Sequence, residues 1–180
     1  MMGNFTKIET GIEGLVIIDV KKYGDHRGYF KETYHEKAFQ ELGLFYDFVQ
    51  ENESYSRKNT LRGLHFQIRH PQGKLVRVVS GEVYDVAVDL RPGSATYGKW
   101  HGVLLTGENN RMFYVPEGFA HGFLVLSDDA VFTYKCTDYY HPEDEGGLLW
   151  NDPTLAIDWP VEDLGSLLIS EKDAKLPLFK

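Results

Sequence analysis

The chain has 180 residues, enough for one domain with a substantial core. Its formal net charge of −8 argues against a nucleic-acid binder, which needs a basic face, but leaves room for a local basic cluster that binds a small phosphorylated ligand. The single cysteine, Cys136, rules out an intrachain disulfide framework and suits a reducing cytosol. No apolar run reaches the length of a membrane span, and Met1 to Thr6 lacks the basic and apolar regions of a signal peptide. The expectation is a cytoplasmic protein that engages neither nucleic acid nor membrane.

Taken in chain order, the predicted elements are nearly all strands. Leu15 to Val20 comes first, then Gly28 to Tyr34, before the only helix, Glu36 to Leu42, which good helix formers build and Gly43 stops. Phe48 to Tyr55 follows, and the segment Leu61-Arg62-Gly63-Leu64-His65-Phe66-Gln67 also reads as strand. Leu75 to Val79 and Val83 to Leu90 are rich in β-branched residues and are separated by Ser80-Gly81-Glu82, a predicted hairpin connection. Trp100 to Leu105, Met112 to Val115, Phe123 to Leu126 and Val131 to Asp138 complete the series, with turn chemistry between them. Ser170-Glu171-Lys172-Asp173 has the form of a capping box opening a last helical turn. Many short strands and eighteen glycines predict a sandwich or barrel formed by residues 1–180 as one domain.

Alternation along the strands says which side chains converge. His121 shares a face with Phe119, Phe123 and Val125; Tyr134 with Phe132 and Cys136; Asp85 with Val83 and Ala87. A His, a Tyr and an Asp then point into one apolar interior, where burial shifts pKa values. The bland alternative, a core residue satisfied by one hydrogen bond, stays open for each. His65 lies on the face opposite Leu64 and Phe66, and Gly63 offers a bend that brings Arg62 onto the same site. Lys74, next to Gly73, opens the following strand. For Arg62 and Lys74 the bland alternative is a solvated surface cation.

Two further polar clusters stand out, Arg27-Gly28-Tyr29-Phe30-Lys31-Glu32 and Gln50-Glu51-Asn52. Arg27 has the fork geometry for phosphate, and the amides offer donors and acceptors for a base or sugar. By spacing alone, ordinary exposed strand faces explain both clusters better. Asp173 stands where a capping box wants its acid, and only a position beside His65 would make it an imidazole orienter. A metal centre is not expected: Gln67 stands where a His-x-His pair would place its second ligand, and His65 with His121 alone makes a poor shell.

Several stretches together resemble the dTDP-4-dehydrorhamnose 3,5-epimerase family. They are Arg62 to Gln67, Gln72 to Val76, Gly81 to Arg91, Pro116 to Phe123, Tyr134-Lys135, Trp150-Asn151-Asp152-Pro153 and Ser170 to Asp173. The resemblance runs in order over nearly the whole chain. It implies an all-β, cupin-type jelly-roll or sandwich barrel with a few short peripheral helices, needing no metal or cofactor. It also implies a homodimer in dTDP-L-rhamnose synthesis that inverts C3 and C5 of dTDP-4-dehydro-6-deoxy-D-glucose through an enolate.

Residue by residue, the resemblance makes His65 the base, Asp173 its orienter, Lys74 the oxyanion stabiliser and Tyr134 the acid on the opposite face. It assigns Arg62, His121 and Lys172, with Glu145 nearby, to the sugar nucleotide, and Gln50, Glu51 and Asn52 to the nucleotide side. Arg27 and Glu32 are expected to reach into the neighbouring subunit's site. Asp85 is a partner for His121, and Phe30 and Tyr140 are supporting residues. The rival readings are an epimerase of one carbon only, a non-catalytic sugar-nucleotide-binding barrel, and a metal-dependent oxygenase of the same architecture.

Overall fold

The structure is a computed structural model and describes residues 3–161 and 163–180. Met1 and Met2, which open the N-terminal stretch considered above, lie outside the described residues, as does Glu162. The chain starts with β1 (Phe5–Glu9), β2 (Val16–Val20), β3 (Tyr23–Asp25) and β4 (Gly28–Phe30), then helix α1 (Glu36–Glu41). Next come β5 (Gln50–Arg57), β6 (Leu61–Gln67), β7 (Lys74–Ser80), β8 (Glu82–Asp89) and β9 (Trp100–Thr106). β10 (Arg111–Val115), β11 (Phe119–Val125), β12 (Asp129–Cys136) and the short β13 (Glu145–Gly147) follow.

Antiparallel pairing gathers these strands into a six-stranded sheet, β1-β2-β10-β7-β12-β5, and a five-stranded sheet, β13-β6-β11-β8-β9, with β3-β4 as a separate ribbon. The two larger sheets face each other and do not close into a barrel. Alternate residues of each sheet fill the space between them: Val76, Val78, Phe113 and Phe132 from one side meet Val83, Ala87, Leu105 and Phe123 from the other. The opposite faces are covered too. Val16, Ile18 and Met112 lie under Phe39 of α1, and Leu61, Val86, Val88 and Leu124 lie under Leu155 and Trp159 of the C-terminal segment. With both faces covered, β11 is buried at every position, which is why Phe119 to Val125 is an almost uninterrupted apolar run.

Helix α1 has the boundaries its sequence predicts to within one residue. His35 caps it, its Nδ1 accepting the Ala38 N–H at 3.3 Å, and Gly43 adopts φ +76° just past the last turn. Phe39 anchors the helix, its ring 5.0 Å from those of Phe5 and Tyr34 in edge-on contact.

Three expectations need correction. Ser80-Gly81-Glu82 is not a hairpin turn, because β7 and β8 belong to different sheets and the connection arches between them. The strand expected over Gly28 to Tyr34 ends at Phe30, since it pairs only with the three-residue β3. The expected Phe48 to Tyr55 strand is displaced to Gln50–Arg57, where its partner β12 supplies a ladder from Cys136 back to Asp129.

Candidate active site

At the flank where β5 and β6 run near the sheet edges, the sandwich holds a cavity of about 380 Å³. A second cavity of about 240 Å³ shares His65, Lys74 and Tyr134 with it. The first is walled by both sheets and by the C-terminal segment carrying Ser170, Lys172 and Asp173.

Strand parity alone would put Arg62 and His65 on opposite faces, because they are three residues apart. Their partners on β11 explain why both reach the cavity: His65 pairs with His121, yet Arg62 pairs with Phe123, only two residues on. β6 therefore carries a bulge at Gly63 and Leu64, which resets the parity. Gly63 has φ +111°, and a Cβ there would stand 2.6 Å from the His121 carbonyl oxygen, so glycine is required.

Asp173 departs from its capping-box role. Its N–H donates to Ser170 Oγ at 3.1 Å, as a capping box predicts, but its buried carboxylate turns across to β6. One oxygen lies 2.7 Å from His65 Nε2 and the other accepts the Gly63 N–H at 3.1 Å. The condition set for an imidazole orienter, a place beside His65, is met in the geometry. With Asp173 accepting the Nε2 proton, the basic lone pair of His65 sits on Nδ1.

Lys74 at the start of β7 lines both cavities, and burial pushes its ammonium pKa below that of a free lysine, against the opposing pull of Cys136, Asp85 and Glu145. Burial likewise raises the Tyr134 phenol, helped by the neighbouring Cys136 thiol, so the hydroxyl stays protonated across the neutral range. Asp85 and His121 project from adjacent strands into the interior, as alternation predicts, with both carboxylate oxygens 2.9 Å from His121 Nε2. Desolvation raises the Asp85 pKa, while His121 and Lys74 oppose the rise.

Glu145, on β13, ties the rim together. Its Oε2 accepts from Lys172 Nζ at 2.6 Å and from the Tyr140 hydroxyl at 2.9 Å, and its Oε1 lies 4.0 Å from His65 Nε2. Burial pushes this carboxyl up, but those two hydrogen bonds and the His65 ring outweigh it and hold the pKa below the usual range. Arg62 donates its Nε to the buried Ser56 Oγ at 3.1 Å. Gln50 and Asn52 lie on the inner face of β5, bonded to each other at 3.1 Å, and Gln50 Oε1 accepts the Tyr140 N–H.

Four expected residues stand elsewhere in the single chain. Glu51 takes the opposite parity from Gln50 and Asn52, so it faces outward and pairs with Lys135 at 2.8 Å. Arg27 lies on the β3–β4 ribbon, its guanidinium on Asp25 and its side chain 78% exposed. Phe30 is exposed on the same ribbon, and Glu32 accepts from Asn4 beyond it. In the other direction, Ser54, Ser56 and Ser170 line or brace the cavity without having been singled out for it. The signal was present, because Gln50, Asn52, Ser54 and Ser56 alternate along one strand face.

Among the described residues, no group of three or more His, Cys, Asp or Glu side chains is placed to hold a metal ion. Gln67, at the position a second histidine ligand would need, instead ties down loops: its amide donates to His70 O and Tyr139 O and accepts the His141 N–H. Among the described residues no helix is long and apolar enough to cross a membrane.

A carboxylate-backed imidazole, a protonated phenol and a buried ammonium around one cavity form the apparatus for moving a proton beside a carbonyl. The fold is a cupin-like sandwich, and its cavity gathers the residue types that acid–base isomerisation uses. The family model for dTDP-4-dehydrorhamnose 3,5-epimerase matches residues 9–180. The dTDP-4-dehydrorhamnose 3,5-epimerase of Methanothermobacter thermautotrophicus is 58% identical, with 96% of this chain and 93% of that protein covered. The Legionella pneumophila dTDP-6-deoxy-D-glucose-3,5-epimerase, solved in complex with dTDP-4-keto-L-rhamnose, superposes with a TM-score of 0.93 at 54% identity, covering 97% of this chain and 92% of that one. The Elizabethkingia anophelis dTDP-4-dehydrorhamnose 3,5-epimerase gives 0.93 at 48% identity, covering 98% and 97%. The chain belongs to the dTDP-4-dehydrorhamnose 3,5-epimerase family.

Proposed function

We propose that this protein converts dTDP-4-dehydro-6-deoxy-D-glucose to dTDP-4-dehydro-L-rhamnose by inverting C3 and C5. The observation that carries the reading is the Asp173–His65 pair facing the same cavity as Lys74 and Tyr134. The C4 ketone acidifies the hydrogens on both neighbouring carbons. His65 Nδ1 removes one of them as a proton, and the electron pair moves onto the C4 oxygen as an enolate. Lys74 stabilises that oxyanion from a water-poor position, the kind of preorganised charge that supplies the largest catalytic term. Tyr134 then delivers its hydroxyl proton to the opposite face of the carbon, inverting it. Exchange with water reprotonates Tyr134 and clears His65 before the second centre reacts.

Arg62, Lys172 and His121 hold the sugar nucleotide, with Asp85 behind His121 and Glu145 behind Lys172. Gln50, Asn52 and Tyr140 form the nucleotide side. The protein acts in the cytoplasm as a single domain per chain and as a homodimer. Arg27, Phe30 and Glu32 of each subunit complete the partner's site, and Glu51, outward in one chain, belongs to the nucleotide side only through that assembly.

Incubating the protein with dTDP-4-dehydro-6-deoxyglucose in deuterated water and following the sugar by NMR tests this. Deuterium at both C3 and C5 is expected. Label at one carbon alone would replace the reading with a single-carbon epimerase, and nucleotide binding without any label would leave a binding protein.

A further inference from the structure

The inner face of β5 is polar from end to end, in a sandwich whose other inward faces are mostly apolar. Gln50, Asn52, Ser54 and Ser56 follow one another at every second position. Three of the four have work in the structure. Gln50 and Asn52 bond to each other, and Ser56 holds Arg62. The Ser54 hydroxyl is buried and makes no hydrogen bond among the described residues, yet Ser54 lines the main cavity with Tyr134, Lys74 and His65. In the ladder it stands opposite Phe132, one step along from the Asn52–Tyr134 pair. A buried hydroxyl without a partner is costly, and an alanine would fill the same space without that cost. A single torsion lets this hydroxyl swing among staggered wells on the cavity wall.

We infer that Ser54 is a substrate-binding residue whose hydroxyl holds the C2 hydroxyl of the hexose. This deepens the function proposed above and rests on it. The choice of C2 follows from the stereochemistry. The hexose has two free hydroxyls, at C2 and C3. C3 is inverted during the reaction, so its hydroxyl changes direction, whereas the C2 hydroxyl keeps its configuration throughout. A group fixed on a strand can keep hold only of the one that stays. Its position between the Ser56–Arg62 contact and Tyr134 puts this anchor between the nucleotide-binding cation and the acid.

The test is a two-by-two comparison of wild type and Ser54→Ala, each with the parent substrate and its 2-deoxy analogue, together with the affinity of each protein for dTDP alone. The expected result is a loss of about tenfold in kcat/KM for Ser54→Ala on the parent sugar, the size of one lost hydrogen bond. Wild type should lose a similar factor on the 2-deoxy sugar, and the variant should lose little more. Binding of dTDP should be unchanged, since that ligand lacks the hexose. Wild type that turns over both sugars equally well overturns the assignment without recourse to a variant. So does a Ser54→Ala loss that multiplies with the 2-deoxy loss, or one that appears equally in dTDP affinity. Wild type inactive on both sugars while binding dTDP overturns the proposed epimerase function, and the Ser54 assignment with it.

Discussion

Asp173 serves two donors at once, and that is what makes it informative. One carboxylate oxygen takes the Gly63 N–H and the other faces His65 Nε2. The same carboxylate thus fixes the bulge that orients His65 and selects the tautomer of its ring. An asparagine could keep the first contact, taking the Gly63 N–H on its amide oxygen, but it would then present an NH₂ group to the imidazole. That contact requires the other tautomer, with the lone pair on Nε2 and the proton where the base is needed. Asp173→Asn is therefore expected to lower kcat by about 10⁴-fold, the size of the loss when an asparagine behind a catalytic histidine holds the ring in the wrong tautomer. Its melting temperature should stay close to that of wild type. A variant that keeps full kcat would remove Asp173 from this role, and one that fails to fold would make its capping contacts the dominant ones.

The bulge on β6 is the element that converts a regular strand into a site. A Cβ at Gly63 would press on the His121 carbonyl at 2.6 Å, and φ +111° is a conformation side chains resist. Gly63→Ala should therefore destabilise the fold by about 2–4 kcal/mol, read as a lower urea midpoint at unchanged slope. A neutral outcome would mean that β6 can shed its bulge. The bulge also marks what the sequence could and could not disclose. The Gly63 bend bringing Arg62 to His65 was legible as a possibility, and the inward faces of Asp85, His121 and Tyr134 followed from alternation against apolar neighbours. Elements that lack such neighbours were illegible. β1 has one buried position in five, β3 is Tyr-Gly-Asp and β13 is Glu-Gly-Gly, so pairing with a neighbour rather than propensity makes them strands. Sheet membership was hidden for a different reason. A short Gly-containing link is compatible with a hairpin or an arch, and only the packing of both faces decides. Glu51 is the middle residue of a run of three, and parity turns it outward to Lys135, so its place on the nucleotide side depends on the proposed dimer rather than on the single chain.

At the scale of the molecule, one part of the expected site is distant from the rest. The β3–β4 ribbon carries Arg27 and holds Tyr23, Tyr29 and Phe30 at 46%, 57% and 67% exposure. Such aromatic surface is ordinarily covered by a partner, and in the proposed dimer it is the neighbouring subunit's site that covers it. This arrangement has a signature that no single variant gives. In Arg27→Ala, every site lacks the arginine from across the interface; in His65→Ala, every site lacks its own base. Each homodimer should be strongly impaired. When the two are unfolded together in equal amounts and refolded, half of the dimers are mixed. In each mixed dimer one site combines the intact His65 of one chain with the intact Arg27 of the other. Activity should return to about a quarter of the wild-type value, because half of the dimers then carry one working site of two. If Arg27 acted within its own chain, the mixed dimer would hold one site lacking the base and one lacking the arginine. Mixing would then restore nothing beyond the average of the two parents, and the ribbon's exposed aromatics would need another explanation.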